Sequence, residues 1–130
     1  SALLEAEATD GTVRRLLFDT GWNLAWMEQR FAEEGVDQLL AEGGIDCLVI
    51  SHEHFDHFWG IGVTLRHCPS LPIYIPAGFH PEGLELIKQY GHTGPIIRVQ
   101  PQQPLNLFPG CALVQFPMET QLQVQGENVL

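Results

Sequence analysis

The sequence predicts an α/β fold, a mixed sheet with flanking helices. Three observations carry this reading. Strand-like and helix-like apolar patterns alternate along the chain, and glycine, proline and aspartate punctuate them. In addition, 45% of the 130 residues are hydrophobic against 17% charged, which excludes a disordered chain and suits one domain with its own core.

The first strand-like run is Val13 to Phe18, stopped by the polar turn Asp19-Thr20-Gly21. Leu3 to Ala6 is placed to pair with it as a hairpin, because Thr9-Asp10-Gly11 between them is turn material. After Gly21, apolar residues recur at helical spacing (Leu24, Met27, Phe31, Ala32) up to Gly35, a natural C-terminal cap. A short helical turn over Asp37 to Glu42 is broken by Gly43-Gly44, and Asp46 to Ile50 lacks polar alternation, as a strand buried on both faces does. Ile61 to Arg66 reads as a helix reaching Cys68-Pro69, and Pro72 to Pro76 as a strand bracketed by prolines. Pro81 to Tyr90 has proline at its start, glycine after its end and a partly apolar face of Leu84, Ile87 and Lys88, so it is a helix. Ile96 to Val99 is again strand-like. The order is βαβαβαβ. From Pro101 onward, short apolar pieces (Leu105 to Phe108, Ala112 to Phe116) suggest an antiparallel or loop-rich segment. Asn128-Val129-Leu130 reads as the start of a strand, and the chain does not open on methionine, so the natural protein is expected to be longer at both ends.

Sixteen acidic residues against six basic give a net charge of −10, which repels a phosphate backbone. Nucleic acid and anionic membrane are therefore not expected as partners, and no apolar run approaches the roughly 20 residues of a membrane span. The three cysteines, Cys47, Cys68 and Cys111, form no C-x-x-C pair, so neither a disulfide framework nor a cysteine zinc site is expected, and a reducing, cytoplasmic setting fits. Cys47 reads as a small buried hydrophobe.

The chemistry concentrates in Ser51-His52-Glu53-His54-Phe55-Asp56-His57, which holds three of the six histidines directly after the apolar run 47–50. Residues two apart in extended backbone project to one side, so His52 and His54 can present imidazoles to one point, with Asp56 and His57 reaching a second. Imidazole and carboxylate suit Zn²⁺, Fe, Mn²⁺ or Co²⁺, and two such ions about 3.5–4 Å apart share a bridging water or hydroxide.

This window resembles the H-x-H-x-D-H signature of the metallo-β-lactamase-fold superfamily, and Leu17-Phe18-Asp19-Thr20-Gly21 resembles the aspartate-bearing strand end that precedes it there. Within the superfamily, Leu16 to about Pro76 with Leu107-Phe108-Pro109-Gly110 is most similar to hydrolases labelled dihydropterin or methanopterin-precursor synthase-related. The resemblance implies a partial metallo-β-lactamase fold of the α+β sandwich type, with residues 1–130 forming an incomplete domain, the first half of the fold. It also implies that His52 and His54 bind one metal and Asp56 and His57 another, two Zn²⁺ in a complete site, with Fe or Mn as alternatives. Asp56 would also be catalytic, orienting the nucleophile, and Asp19 would stand behind the ligands and orient one of them. Glu53 should point away. The iron-binding, oxygen- and nitric-oxide-reducing branch carries glutamate where His54 stands, so the hydrolase pattern is favoured.

Two departures from the family matter. Trp59 replaces a customary glycine, which should leave the pocket partly covered by an indole. The downstream histidine, bridging aspartate and last histidine that complete the family's site have no counterpart here; His67, His80 and His92 are the remaining histidines, each more readily explained as a surface or capping residue. The implied function is a metal-dependent hydrolase that uses a metal-activated hydroxide on a small ester, lactam, thioester or phosphoester. The alternatives are a mononuclear iron oxygenase of the same fold and a non-catalytic module that retains the motif. With two motif ligands per ion, the isolated segment is expected to hold metal weakly and to be inactive.

Overall fold

A computed structural model describes residues 1–117 and 127–129. The hairpin forms as its turn chemistry requires. Strands β1 (Ala2–Glu7) and β2 (Val13–Phe18) pair antiparallel with Leu4 opposite Leu16, and Asp10 Oδ1 accepts from Thr12 N and Oγ1 at 3.0 and 2.6 Å in the turn. Gly11, at φ 83°, takes the left-handed conformation that closes the turn.

Beyond the hairpin, strands β3 (Cys47–Val49), β4 (Ile73–Pro76) and β5 (Ile96–Val99) add in sequence order, each parallel to its predecessor, to give a five-stranded mixed sheet. Helices α1 (Leu24–Glu34), α2 (Val36–Ala41), α3 (Phe55–Phe58), α4 (Ile61–His67) and α5 (Pro81–Gln89) supply the connections.

Side-chain alternation sorts the core into two layers. Leu17, Leu48, Ile50, Ile73 and Ile75 point to the helical layer and pack with Met27, Phe31, Leu40, Ile61, Leu65 and Ile87. Leu16, Cys47 and Val49 point to the other face, where Leu113, Leu105 and Phe108 cover them. Those last residues come from the hairpin of β6 (Leu105–Phe108) and β7 (Cys111–Leu113), the antiparallel segment expected after Pro101. A last pair, β8 (Gln115–Pro117) with β9 (Glu127–Val129), is also antiparallel, so the expected single run 112–116 is split at Val114 and the expected terminal strand lies at 127–129. Leu130 lies outside the described residues.

The apolar face of α1 is narrower than its spacing predicts. Met27 and Phe31 are buried, whereas Leu24 is 40% exposed and Ala32 is exposed, because the helix reaches the core through one short stripe. Among the described residues, no helix is long and apolar enough to cross a membrane.

Candidate metal centre

Register brings the site together. β2 and β3 are parallel neighbours with Phe18 opposite Val49, so both strands end at the same edge and deliver Asp19 beside Ser51. Asp19 N–H bonds the Val49 carbonyl at 2.8 Å, and the residue sits at φ 56°, a left-handed conformation uncommon for a side chain with a Cβ. That conformation accompanies a buried carboxylate with three donors. Oδ1 accepts from Ser51 N at 2.6 Å; Oδ2 accepts from Ser51 Oγ at 2.7 Å and from His57 Nδ1 at 2.8 Å.

The chain of donors sets both imidazole tautomers. Ser51 Oγ gives its proton to Asp19, so toward His52 Nδ1, 2.8 Å away, it acts as acceptor and the ring carries its hydrogen on Nδ1. His57 likewise donates from Nδ1 to Asp19. Each ring therefore presents a Nε2 lone pair, the form in which a histidine ligates a metal.

Three imidazoles come together. The His52 ring centroid is 4.5 Å from that of His54 and 4.3 Å from that of His57, so His52 stands between the two instead of pairing with His54 alone. Asp56, at the exposed start of α3, has Oδ2 3.5 Å from His57 Nε2. Burial, followed by the neighbouring His57 and His54, holds His52 below the usual histidine pKa, favouring the neutral ring. The donor types thus suit a divalent metal. Their number does not complete a site: among the described residues, no group of three or more His, Cys, Asp or Glu side chains is arranged to hold a metal ion.

A second loop buttresses this one. Thr20 N and Oγ1 both bond the His57 carbonyl, at 2.8 and 3.1 Å, and Gly60 N donates to the Gly21 carbonyl at 2.6 Å. The approach is so close that a Cβ on Gly60 would lie 2.1 Å from Met27 Sδ and 2.6 Å from Gly21 O.

The other candidate residues lie elsewhere. Glu53 turns to α5, where Oε2 accepts from His80 N at 2.8 Å, so it points away from the imidazoles as expected. His67 Nε2 lies 2.8 Å from Glu28 Oε1, and His92 Nε2 lies 2.7 Å from the Leu71 carbonyl oxygen. Trp59 is 57% exposed; it packs on Phe55 with centroids 5.5 Å apart and borders a cleft of about 300 Å³ with Glu53, Phe58 and His80. Sequence reasoning missed Ser51 as the relay between Asp19 and His52; its only signal was a hydroxyl at the end of a buried strand.

Comparison with known proteins agrees with this fold. No curated protein matches the chain. Among solved structures it is similar to the metal-soaked Flv1 flavodiiron core from Synechocystis sp. PCC6803, with 17% identity and a TM-score of 0.64 over 88% of this chain, which shows a shared fold. The chain spans 26% of the length of that protein. The family described as beta-lactamase superfamily domain matches residues 14–124. With the aspartate-bearing strand end, the histidine loop and the parallel strands β3 to β5 inside that span, the chain belongs to the beta-lactamase superfamily domain family.

Proposed function

We propose that this chain contributes to the metal centre of a metal-dependent hydrolase acting on a small ester, lactam, thioester or phosphoester. The observation that carries the reading is the Asp19 carboxylate, which orients His57 directly and His52 through Ser51 so that both present Nε2. A buried carboxylate spent on fixing two tautomers is arranged for ligation, whereas a solvated polar loop has no use for it. In this reading His52, His54, Asp56 and His57 hold the metal, with Zn²⁺ the expected ion and Fe or Mn the alternatives. A bound divalent ion would supply a water of lowered pKa and polarise the scissile group. Asp56, exposed and with Oδ2 3.5 Å from His57 Nε2, would orient the nucleophile in this reading. His54 stands where the iron-binding branch of the superfamily carries glutamate, a departure from that branch that favours hydrolysis over oxygen chemistry.

The test is titration of the whole protein that carries this chain with Zn²⁺, Mn²⁺ and, anaerobically, Fe²⁺, followed by ¹⁵N histidine spectra and by turnover of ester and phosphoester substrates. The Nε2 signals of His52, His54 and His57 should move with metal, and hydrolysis should follow metal content. Stoichiometric iron with substrate-dependent oxygen uptake would replace the hydrolase by an oxygenase. Unmoved histidine signals together with no turnover would leave a non-catalytic module.

A further inference from the structure

Three large rings stand around the histidine loop without being used by the core. Trp22, Phe55 and Trp59 are 56%, 51% and 57% exposed, yet they contact one another: Trp22 and Phe55 meet edge-on with centroids 6.2 Å apart, and Phe55 and Trp59 lie 5.5 Å apart. They come from two loops that the site itself joins. Trp22 follows Asp19-Thr20-Gly21, and Phe55 stands between His54 and Asp56, one turn of helix before Trp59. The strip also links two hollows. Trp22 forms part of the wall of a cavity of about 580 Å³ beside Met27 and Phe31, and Trp59 borders the cleft with Glu53 and His80. The larger volume lies within the range of small-molecule sites, about 300–1,000 Å³.

Phe55 is the chain neighbour of both His54 and Asp56, so the strip starts one residue from two of the proposed metal donors. The rings are inclined to one another by 67° and 60°, so they offer both π-faces and edges, which favour a flat aromatic partner over a saturated group of equal size. Asp56, Glu53 and Glu82 beside the strip count against an anionic ring.

We propose that Trp22, Phe55 and Trp59 form the specificity wall of the site, and that the substrate carries a neutral, planar aromatic group that stacks there while its scissile bond faces the histidine loop. The substrate part of this inference rests on the hydrolase reading above; the wall itself is read from the rings alone.

The experiment therefore uses binding as its first readout. The protein is titrated with 2-naphthamide and with its fully saturated counterpart, and the indole N–H signals of the three tryptophans are followed by NMR. Trp22 and Trp59 should both shift, whereas a shift of Trp22 with Trp26 and not Trp59 would place the compound in the larger cavity alone and overturn the wall; the saturated compound should bind about tenfold more weakly. Trp59→Ala should weaken 2-naphthamide by about tenfold and Trp59→Phe should restore it, both with an unchanged circular dichroism spectrum. Equal affinity for the two compounds, or an unaltered Trp59→Ala, overturns the proposal, as does sedimentation showing that a second copy of the chain buries these rings. Hydrolysis is scored separately, in the whole protein that carries this chain, with 2-naphthyl acetate and its saturated counterpart. Binding with no hydrolysis under any metal supports the wall and removes the hydrolase reading, whereas hydrolysis that ignores the ring removes the wall and keeps the hydrolase.

Discussion

Asp19 concentrates more of the site's chemistry than any histidine does. Its φ of 56° is stabilised by three hydrogen bonds from Ser51 and His57, so replacing it changes ring orientation before it changes packing. Asp19→Asn should lower metal affinity by about 10–100-fold, the usual effect of losing an outer carboxylate, read by competition with a chromophoric chelator. The same relay predicts that long-range ¹H–¹⁵N spectra of the metal-free protein show His52 and His57 as Nδ1–H tautomers; a Nε2–H form at either residue would break the relay. The lowered pKa of His52 has a sign that can be checked. Between its folded value and the ordinary 6.5, the unfolded chain binds the extra proton, so this contribution to stability is complete above 6.5 and is lost as pH falls through the folded value. An NMR titration should place the His52 midpoint below 6.5. Cys47 moves the other way: burial, then Asp46 and Cys111, pushes its thiol up to about 12, so iodoacetamide at pH 8 should leave it unmodified until the protein unfolds.

Between elements, the contact of loop 57–60 with loop 20–21 decides whether the residue-scale geometry survives. Gly60 is the tightest point, and no rotamer of Met27 relieves the clash of a new Cβ with the Gly21 carbonyl carbon and oxygen at 3.0 and 2.6 Å. Gly60→Ala should therefore cost at least about 1–3 kcal/mol, measured by urea denaturation, and should also shift the ring contacts of His57, whose carbonyl is tied to Thr20. The helix boundaries follow local rules. Asn23 caps α1 by accepting from Trp26 N at 3.0 Å, and Gly35 ends it at φ 72°. The Gly35 signal was legible because a glycine that closes an apolar period is local; the Asn23 cap was not read from the sequence.

Across the whole molecule, one sheet separates a helical layer from the β6–β7 hairpin, and the two hydrophobic clusters depend on both being in place. Leu113, 3% exposed, plugs the hairpin side, whereas Leu4 on the edge strand is 47% exposed. Leu113→Ala should cost about 2–5 kcal/mol and Leu4→Ala about 0.5 kcal/mol or less, in a denaturant series with constant slope. The shortage of metal donors gives a further test at this scale. Equilibrium dialysis of residues 1–130 should retain Zn²⁺ weakly and below stoichiometry, because a catalytic zinc normally takes three protein ligands.

Short range and periodicity encode the hairpin, the βαβ order, the buried strand expected over 46–50 and found at Cys47–Val49, and the clustering of His52, His54, Asp56 and His57 in one window, of which Asp56 and His57 fall in α3 and not in a loop. Alternation and turn chemistry are local, so reading them needs no partner residue. Only the tertiary structure decided that Asp19 reaches His57 across 38 positions of chain and His52 through Ser51, that His52 sits between the other two rings, and that Trp22 joins Phe55 and Trp59. Those relations follow from the parallel register of β2 with β3, which sets both strand ends at one edge. Pairing partners are chosen by packing of the whole sheet, and no window of neighbouring residues contains that choice.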